Sequence, residues 1–151
     1  VNIRPSELIH DSLLLLGPLL KKHKIKVSNQ ISDLSGNWHV DPNQMKRVIL
    51  NVLINSIEAI SGSGCIDIST NMYGSSLGLT ITDNGCGIVS KSIDEVFDPY
   101  FSTRKNGSGI GLALSRKIVE QHKGIISISS HDANTNTSGT SVIIKMPMVE
   151  G

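Results

Sequence analysis

The chain has 151 residues and a formal net charge of +1. That is enough for one domain with a real core, and too balanced in charge to suggest nucleic acid as a partner. Aromatic residues make up only 3%, so the core must be aliphatic. Cys65 and Cys86 lack metal-ligand spacing and a disulfide framework is not expected, which fits a reducing compartment. The longest apolar run, Leu13 to Leu16, is far too short to span a bilayer, and no signal peptide is visible. A cytoplasmic domain with no membrane contact of its own is expected. The first residue is Val1 rather than Met, which points to a piece of a longer protein.

In chain order, Val1 to Arg4 reads as a short strand. Pro5 opens a helix to about residue 23, with Leu8, Ile9, Leu13, Leu16, Leu19 and Leu20 at helical spacing. Pro18 is expected to kink or shorten it. Lys24 to Ile31 alternates as a strand, Gly36 turns the chain, and Asn37 to Val40 gives a second short strand. Asp41 is a good N-cap for the next helix, with Pro42 at the first helical position and Gln44 completing a capping box. Met45, Val48, Ile49, Val52, Leu53, Ser56, Ile57 and Ile60 form its apolar arc, and Gly62 is expected to end it. Asn51 and Asn55 lie about 40° apart on the rim of that arc. Two amides so placed can share one ligand, or simply be solvated.

Cys65 to Met72 and Leu77 to Thr82 read as a hairpin around Tyr73-Gly-Ser-Ser. Leu77, Leu79 and Ile81 alternate with small or polar residues, the mark of a strand with one buried face. The strand runs into Asp83-Asn-Gly85-Cys-Gly87-Ile88, which places a carboxylate at the edge of the core beside bare backbone. A planar ligand with an exocyclic amine can lie on such a turn and donate to Asp83. The same six residues also suit an ordinary Asp-Asn-Gly turn. Residues 84 to 108 are too long and polar for a plain connector, with Val96, Phe97, Tyr100 and Phe101 as apolar anchors.

Gly107, Gly109 and Gly111 precede a helix that buries Leu114, Ile118 and Val119. Exposed amides and the helix dipole favour a phosphate there, although the glycine spacing is neither a P-loop nor a dinucleotide fingerprint. Ser102, Thr103, Arg104 and Lys105 offer hydroxyls and cations just upstream. His122 and Lys123 sit near the helix's negative end, with Gly124 as its C-cap. Ile125 to Ser129 and Ser141 to Met146 alternate as closing strands joined by a polar turn over Asp132 to Ser138. Gly139-Thr140 opens the last strand. No internal repeat or domain boundary is visible, so residues 1–151 read as one domain.

Taken in order, these stretches resemble the ATP-binding catalytic domain of sensor histidine kinases, in the superfamily shared with DNA gyrase. The matching boxes are Asn51-Val-Leu-Ile-Asn55-Ser-Ile-Glu-Ala59, Asp83-Asn-Gly85-Cys-Gly87, Phe97-Asp-Pro-Tyr-Phe101, Gly107-Ser-Gly109-Ile-Gly111-Leu112 and Gly139-Thr140. Each box alone is weak, but the ordered set covers nearly the whole chain and is highly specific.

The resemblance implies an α/β fold, a two-layer sandwich with a mixed sheet and helices packed on one face, of the Bergerat ATP-binding type. It implies ATP and Mg²⁺ as cofactors. Asp83 would bind the adenine amine, with Gly87 and Thr140 beside the ring. Gly85, Ala59, Ile88 and Phe97 would complete the pocket. Asn51 and Asn55 would hold Mg²⁺ and the phosphates, with Ser102, Thr103, Arg104, Lys105, Gly107, Ser108, Gly109, Ile110, Gly111 and Leu112 around the phosphate chain. Asn51, Asn55, Arg104 and Lys105 would be the catalytic set, and residues 88 to 108 a mobile lid. The implied reaction passes the γ-phosphate to a histidine on a separate dimerisation domain of a homodimeric full-length protein, and then to an aspartate of a response regulator. No histidine of this chain has the phosphoacceptor context, so that domain is expected before Val1. Competing readings within the superfamily are an ATP-hydrolysing conformational switch and an anti-sigma-type serine kinase. A nucleotide-sensing module without catalysis is a third. In the switch ATPases, the residue four before the metal-binding asparagine is a glutamate that activates water; here that position is Asn51.

Overall fold

The computed structural model describes residues 1–31, 36–85, 111–131 and 139–148, with only the backbone of His131. The elements are β1 (Asn2–Ile3), α1 (Pro5–Lys22), β2 (Ile25–Gln30), β3 (Trp38–His39), α2 (Pro42–Ala59), β4 (Gly64–Tyr73), β5 (Ser76–Asp83), α3 (Gly111–Gln121), β6 (Ile125–His131) and β7 (Gly139–Pro147). β1 and β3 pair as a small antiparallel ribbon. The other strands form a five-stranded sheet in the order β2-β4-β5-β7-β6. Only the β2–β4 pair is parallel, which makes the sheet mixed.

The connections explain the layers. Parallel neighbours cannot be joined by a tight turn and need a crossover; α2 supplies it between β2 and β4. β5 and β6 both run antiparallel to β7, so they are parallel to each other, and α3 lies between them in sequence. α1, α2 and α3 pack on one face of the sheet, through β2, β5 and β6, and α2 lies between α1 and α3.

Burial follows the period of each element. Leu77, Leu79 and Ile81 of β5 are buried beside Ile66 and Ile68 of β4 and Val142, Ile144 and Met146 of β7. Met45, Val48, Ile49, Val52, Leu53 and Ile57 of α2 cover them. Trp38 is fully buried, and its indole Nε1 donates to the Leu77 carbonyl at 3.1 Å, which ties β3 to the sheet. The aliphatic core expected from composition is present. Cys65 is free.

Four local expectations are corrected. Pro18 does not shorten α1, which continues to Lys22. A proline there frees the Leu14 carbonyl, and Leu14 is 67% exposed, so water can take that bond. α2 ends at Ala59, before Gly62, because Ile60 turns to φ −87°, ψ 126°. The capping box is only half formed. Asp41 Oδ1 accepts from the amides of Asn43 (2.9 Å) and Gln44 (3.3 Å), but the Asp41 amide donates to His122 Nε2 at 3.2 Å rather than to the Gln44 side chain. At the end of α3, Lys123 and not Gly124 takes the left-handed backbone, with φ 64°. The Gly124 amide closes the turn on the Val119 carbonyl at 3.0 Å. Gly124 is required for another reason: a Cβ there would collide with Met146 Sδ and lie 2.7 Å from the Lys145 carbonyl.

Candidate functional site

One end of the sheet gathers the residues singled out from sequence. β5 finishes there at Asp83, flanked in register by Ile66 of β4 and Thr140 of β7. Asp83 continues the inward row of Leu77, Leu79 and Ile81, so strand period alone carries its carboxylate into the core face. It is 5% exposed. Its Oδ1 accepts the Gly85 amide at 2.8 Å, which closes an Asx turn and reverses the chain at the strand end. Asn84 is pinned to the neighbouring strand. Its Oδ1 accepts the Cys65 amide at 2.9 Å, and its own amide donates to the Cys65 carbonyl at 3.3 Å.

The glycines of this end are demanded by packing. A Cβ on Gly85 would sit 2.6 Å from the Ala59 carbonyl oxygen, so the turn after β5 lies directly on the last residue of α2. Gly139, with φ 149°, approaches the Asp83 carbonyl too closely for any side chain. These two glycines draw the end of α2, the end of β5 and the start of β7 together. Ala59 therefore lies against Gly85, and Thr140 is the register partner of Asp83.

Asn51 stands eight residues before Ala59 on α2, about 12 Å along the helix by its rise. Its Nδ2 donates to the Gly111 carbonyl at 3.5 Å and to Ser115 Oγ at 3.4 Å, across to the first turn of α3. The amide nitrogen is engaged by α3, and among the described residues the Asn51 Oδ1 has no hydrogen-bond partner. Asn55 lies one turn further along α2 and is half-buried. Gly111 and Leu112 open α3, and among the described residues the nearest atom a Cβ on Gly111 would meet is Asn51 Cγ at 3.9 Å. Backbone amides at a helix start beside a carboxamide oxygen suit an anion with its counter-ion.

Two participants were not read from sequence. Ser115 is fully buried and receives the Asn51 amide. Ser130 Oγ donates to the Gly139 carbonyl at 2.9 Å and lies 3.1 Å from Thr140 Oγ1, fixing the hydroxyl beside Asp83. Neither was singled out: Ser115 lay in the helix after Gly111, and Ser130 lay just past the strand expected over Ile125 to Ser129; β6 runs on to His131, and its pairing with β7 is what gives Ser130 its role. Gly87, Ile88, Phe97, Ser102, Thr103, Arg104, Lys105, Gly107, Ser108, Gly109 and Ile110 lie outside the described residues, as do the lid expected over 88 to 108 and the turn over 132 to 138.

A mixed sheet with its helices on one face, a buried aspartate at a strand end and two adjacent helices bearing Asn51 and Gly111 together define an ATP-binding domain of the Bergerat type. Residues 40–150 match the family of histidine kinase-, DNA gyrase B- and HSP90-like ATPases, and the chain belongs to that family. It is 34% identical over 130 residues to the sensor histidine kinase ZraS of Escherichia coli strain K12, covering 86% of this chain but 28% of that protein. It thus spans just over a quarter of that relative's length. The catalytic domain of the histidine kinase ThkA, solved without nucleotide, superposes with a TM-score of 0.85 at 25% identity, over 98% of this chain and 95% of that one. The histidine kinase ThkA solved with the response regulator protein TrrA superposes with a TM-score of 0.82 at 23% identity, over 99% of this chain and 42% of that one. The expected fold class and family are both met. No helix among the described residues is long and apolar enough to cross a membrane.

Proposed function

We propose that the end of the sheet around Asp83 holds ATP, and that the full-length protein uses it to phosphorylate a histidine on a separate domain of its own. The observation that carries this reading is the buried Asp83 carboxylate, with Thr140 beside it in register, on the same sheet whose covering helix α2 joins Asn51 to the start of α3. Asp83 accepts from the adenine amine. Gly85, Ala59 and Thr140 border the ring, and the start of α3 at Gly111 and Leu112 receives the phosphates, with the cations Arg104 and Lys105 neutralising them. Gly87, Ile88, Phe97, Ser102, Thr103, Gly107, Ser108, Gly109 and Ile110 complete the binding set on the family pattern.

The donor set suits Mg²⁺. That ion takes few protein oxygens and the rest from phosphates and water, and among the described residues no cluster of His, Cys, Asp or Glu is gathered for a metal. Asn51 and Asn55 would hold it with the phosphates. When bound, it neutralises phosphate charge. The residues of this chain bind and orient the nucleotide, and the nucleophile is an imidazole of the phosphoacceptor domain. That imidazole's nitrogen bonds the γ-phosphorus as the bond to the β-γ bridging oxygen breaks, and ADP leaves. The histidine kinase relatives support this, and the response regulator protein in complex with ThkA supports a response regulator as the next partner.

The test mixes the 151-residue chain with the histidine-bearing domain of its full-length protein and Mg-ATP. Acid-labile phosphate is expected on that domain and not on this chain, whose His10 is exposed on α1. Intrinsic ATP hydrolysis is expected to be negligible. Asn51 has no basicity near pH 7 to activate water, and Glu58 is exposed one turn beyond Asn55. Phosphate release at about 1 per second or faster would favour a switch ATPase instead, and acid-labile phosphate on His10 would overturn the role given to a separate domain.

A further inference from the structure

His122 stands just past α3, far in sequence from α2, yet it joins the two helices. Its Nδ1 lies 2.8 Å from the Ile118 carbonyl oxygen and its Nε2 lies 3.2 Å from the Asp41 amide nitrogen. A carbonyl has no proton to give and an amide N–H has no acceptor orbital. The two bonds can therefore coexist only when Nδ1 carries the proton and Nε2 is bare. The neighbours fix one tautomer of a neutral ring.

The position of this bond matters. The N-terminus of α2 meets the C-terminus of α3 at His122, and the middle of α2 meets the start of α3 where Asn51 contacts Gly111 and Ser115. The helices are antiparallel and carry two polar clasps. Asp41 and Asn51 are ten residues apart along α2, about 15 Å by helix rise. Apolar side chains of both helices share the core and hold them together; one polar clasp adds a fixed point along their length, and two set the register. Asn51 and the helix start that would receive phosphates are held on opposite helices, so their spacing depends on that register. Displacements well under the size of an atom matter in such sites.

We infer that His122, as the neutral Nδ1–H imidazole, is a positioning residue: it clasps the end of α3 to the N-cap of α2 and so sets the spacing between Asn51 and Gly111. The inference rests on the proposed nucleotide site for its consequence, but not for the clasp itself.

Three substitutions separate clasp from packing. His122→Gln keeps one donor for the Ile118 carbonyl and one acceptor for the Asp41 amide. His122→Lys keeps a donor and a favourable charge at the helix end, but has nothing to offer the amide. His122→Ala removes both. The affinity of the 151-residue chain for a non-hydrolysable ATP analogue with Mg²⁺ is expected to fall about tenfold for His122→Ala and His122→Lys, the usual loss when a supporting partner is removed. His122→Gln is expected to stay within about threefold of the parent. Hydrogen exchange at the Asp41 amide should be slow in the parent and His122→Gln and fast in the other two. In the ¹⁵N spectrum of histidine-labelled chain, the His122 proton should reside on Nδ1. A proton on Nε2, or an Asp41 amide equally protected in all four proteins, would overturn the clasp. Equal nucleotide affinity in all four would overturn its positioning role. A parent chain that binds no nucleotide would instead defeat the proposed function, while the tautomer and exchange measurements would still decide the clasp.

Discussion

Ile81 and Asp83 are two residues apart on the same strand and point to the same face of the sheet. Both are buried, at 1% and 5% exposure. In register, Ile81 lies between Ile68 and Val142, and Asp83 between Ile66 and Thr140. Ile81 loses nothing by burial and gains the removal of apolar surface from water. Asp83 must give up hydration of a carboxylate, and the Gly85 amide offsets part of that cost. Strand geometry therefore explains where Asp83 sits but not why the residue is an aspartate. A carboxylate carried into the core face at a strand end, beside a glycine turn, is a candidate binding residue.

The largest effect expected from this contrast is on stability at Ile81. Ile81→Ala should destabilise the fold by about 3 kcal/mol, the middle of the range for emptying a buried aliphatic site. Nucleotide affinity, measured where the variant is still folded, should be nearly unchanged. A urea midpoint equal to that of the parent would mean that Ile81 is not in the packed core the register gives it.

Asp83→Asn should do the reverse. The amide oxygen can still accept the Gly85 N–H and close the turn, so the fold should be kept. What is lost is the charge-assisted bond to an exocyclic amine. ATP affinity should drop by about 2 kcal/mol, or roughly thirtyfold. Calorimetry showing the parent's ATP affinity would remove Asp83 from the adenine; an unfolded variant would show that the carboxylate is structural after all.

The same contrast explains what the sequence could and could not convey. Asp83 was legible because two local signals coincide: an alternating strand and a glycine-bearing turn. Asn51 and Asn55 were legible from their spacing on an apolar helix, and the strands and helices appeared nearly where expected. The misses share a cause. Gln44 fits a capping box by spacing, but a histidine 81 positions from Asp41 takes the amide instead. Ser115 and Ser130 acquire partners only when α3 meets α2 and β6 meets β7. Local pattern reports the element and its buried face. It carries no record of which distant group will stand opposite, and for polar side chains that partner decides the role.

Thr80 supplies the smallest and sharpest version of the comparison. It lies between Leu79 and Ile81 on β5, so its side chain points to the opposite face of the sheet. Its Oγ1 is nevertheless buried and has no hydrogen-bond partner among the described residues. Thr82, the next residue on that face, shares its hydroxyl with Ser141 at 2.9 Å. Like Asp83, Thr80 carries a desolvated polar group; unlike Asp83, it lies in mid-strand, away from the turn and from the helices that bear Asn51 and Gly111. A polar burial that serves binding should lose function when removed, and one that serves nothing should only gain stability. Thr80→Val keeps the β-branched shape suited to a strand and replaces the hydroxyl with a methyl. Removing an unsatisfied buried oxygen should stabilise the fold by about 1 kcal/mol, which for a chain of this size raises Tm by about 3 °C. ATP affinity should not change. A lowered Tm would mean that the Thr80 hydroxyl has a bonding partner in solution, and a loss of nucleotide affinity would mean that the far face of the sheet belongs to the site.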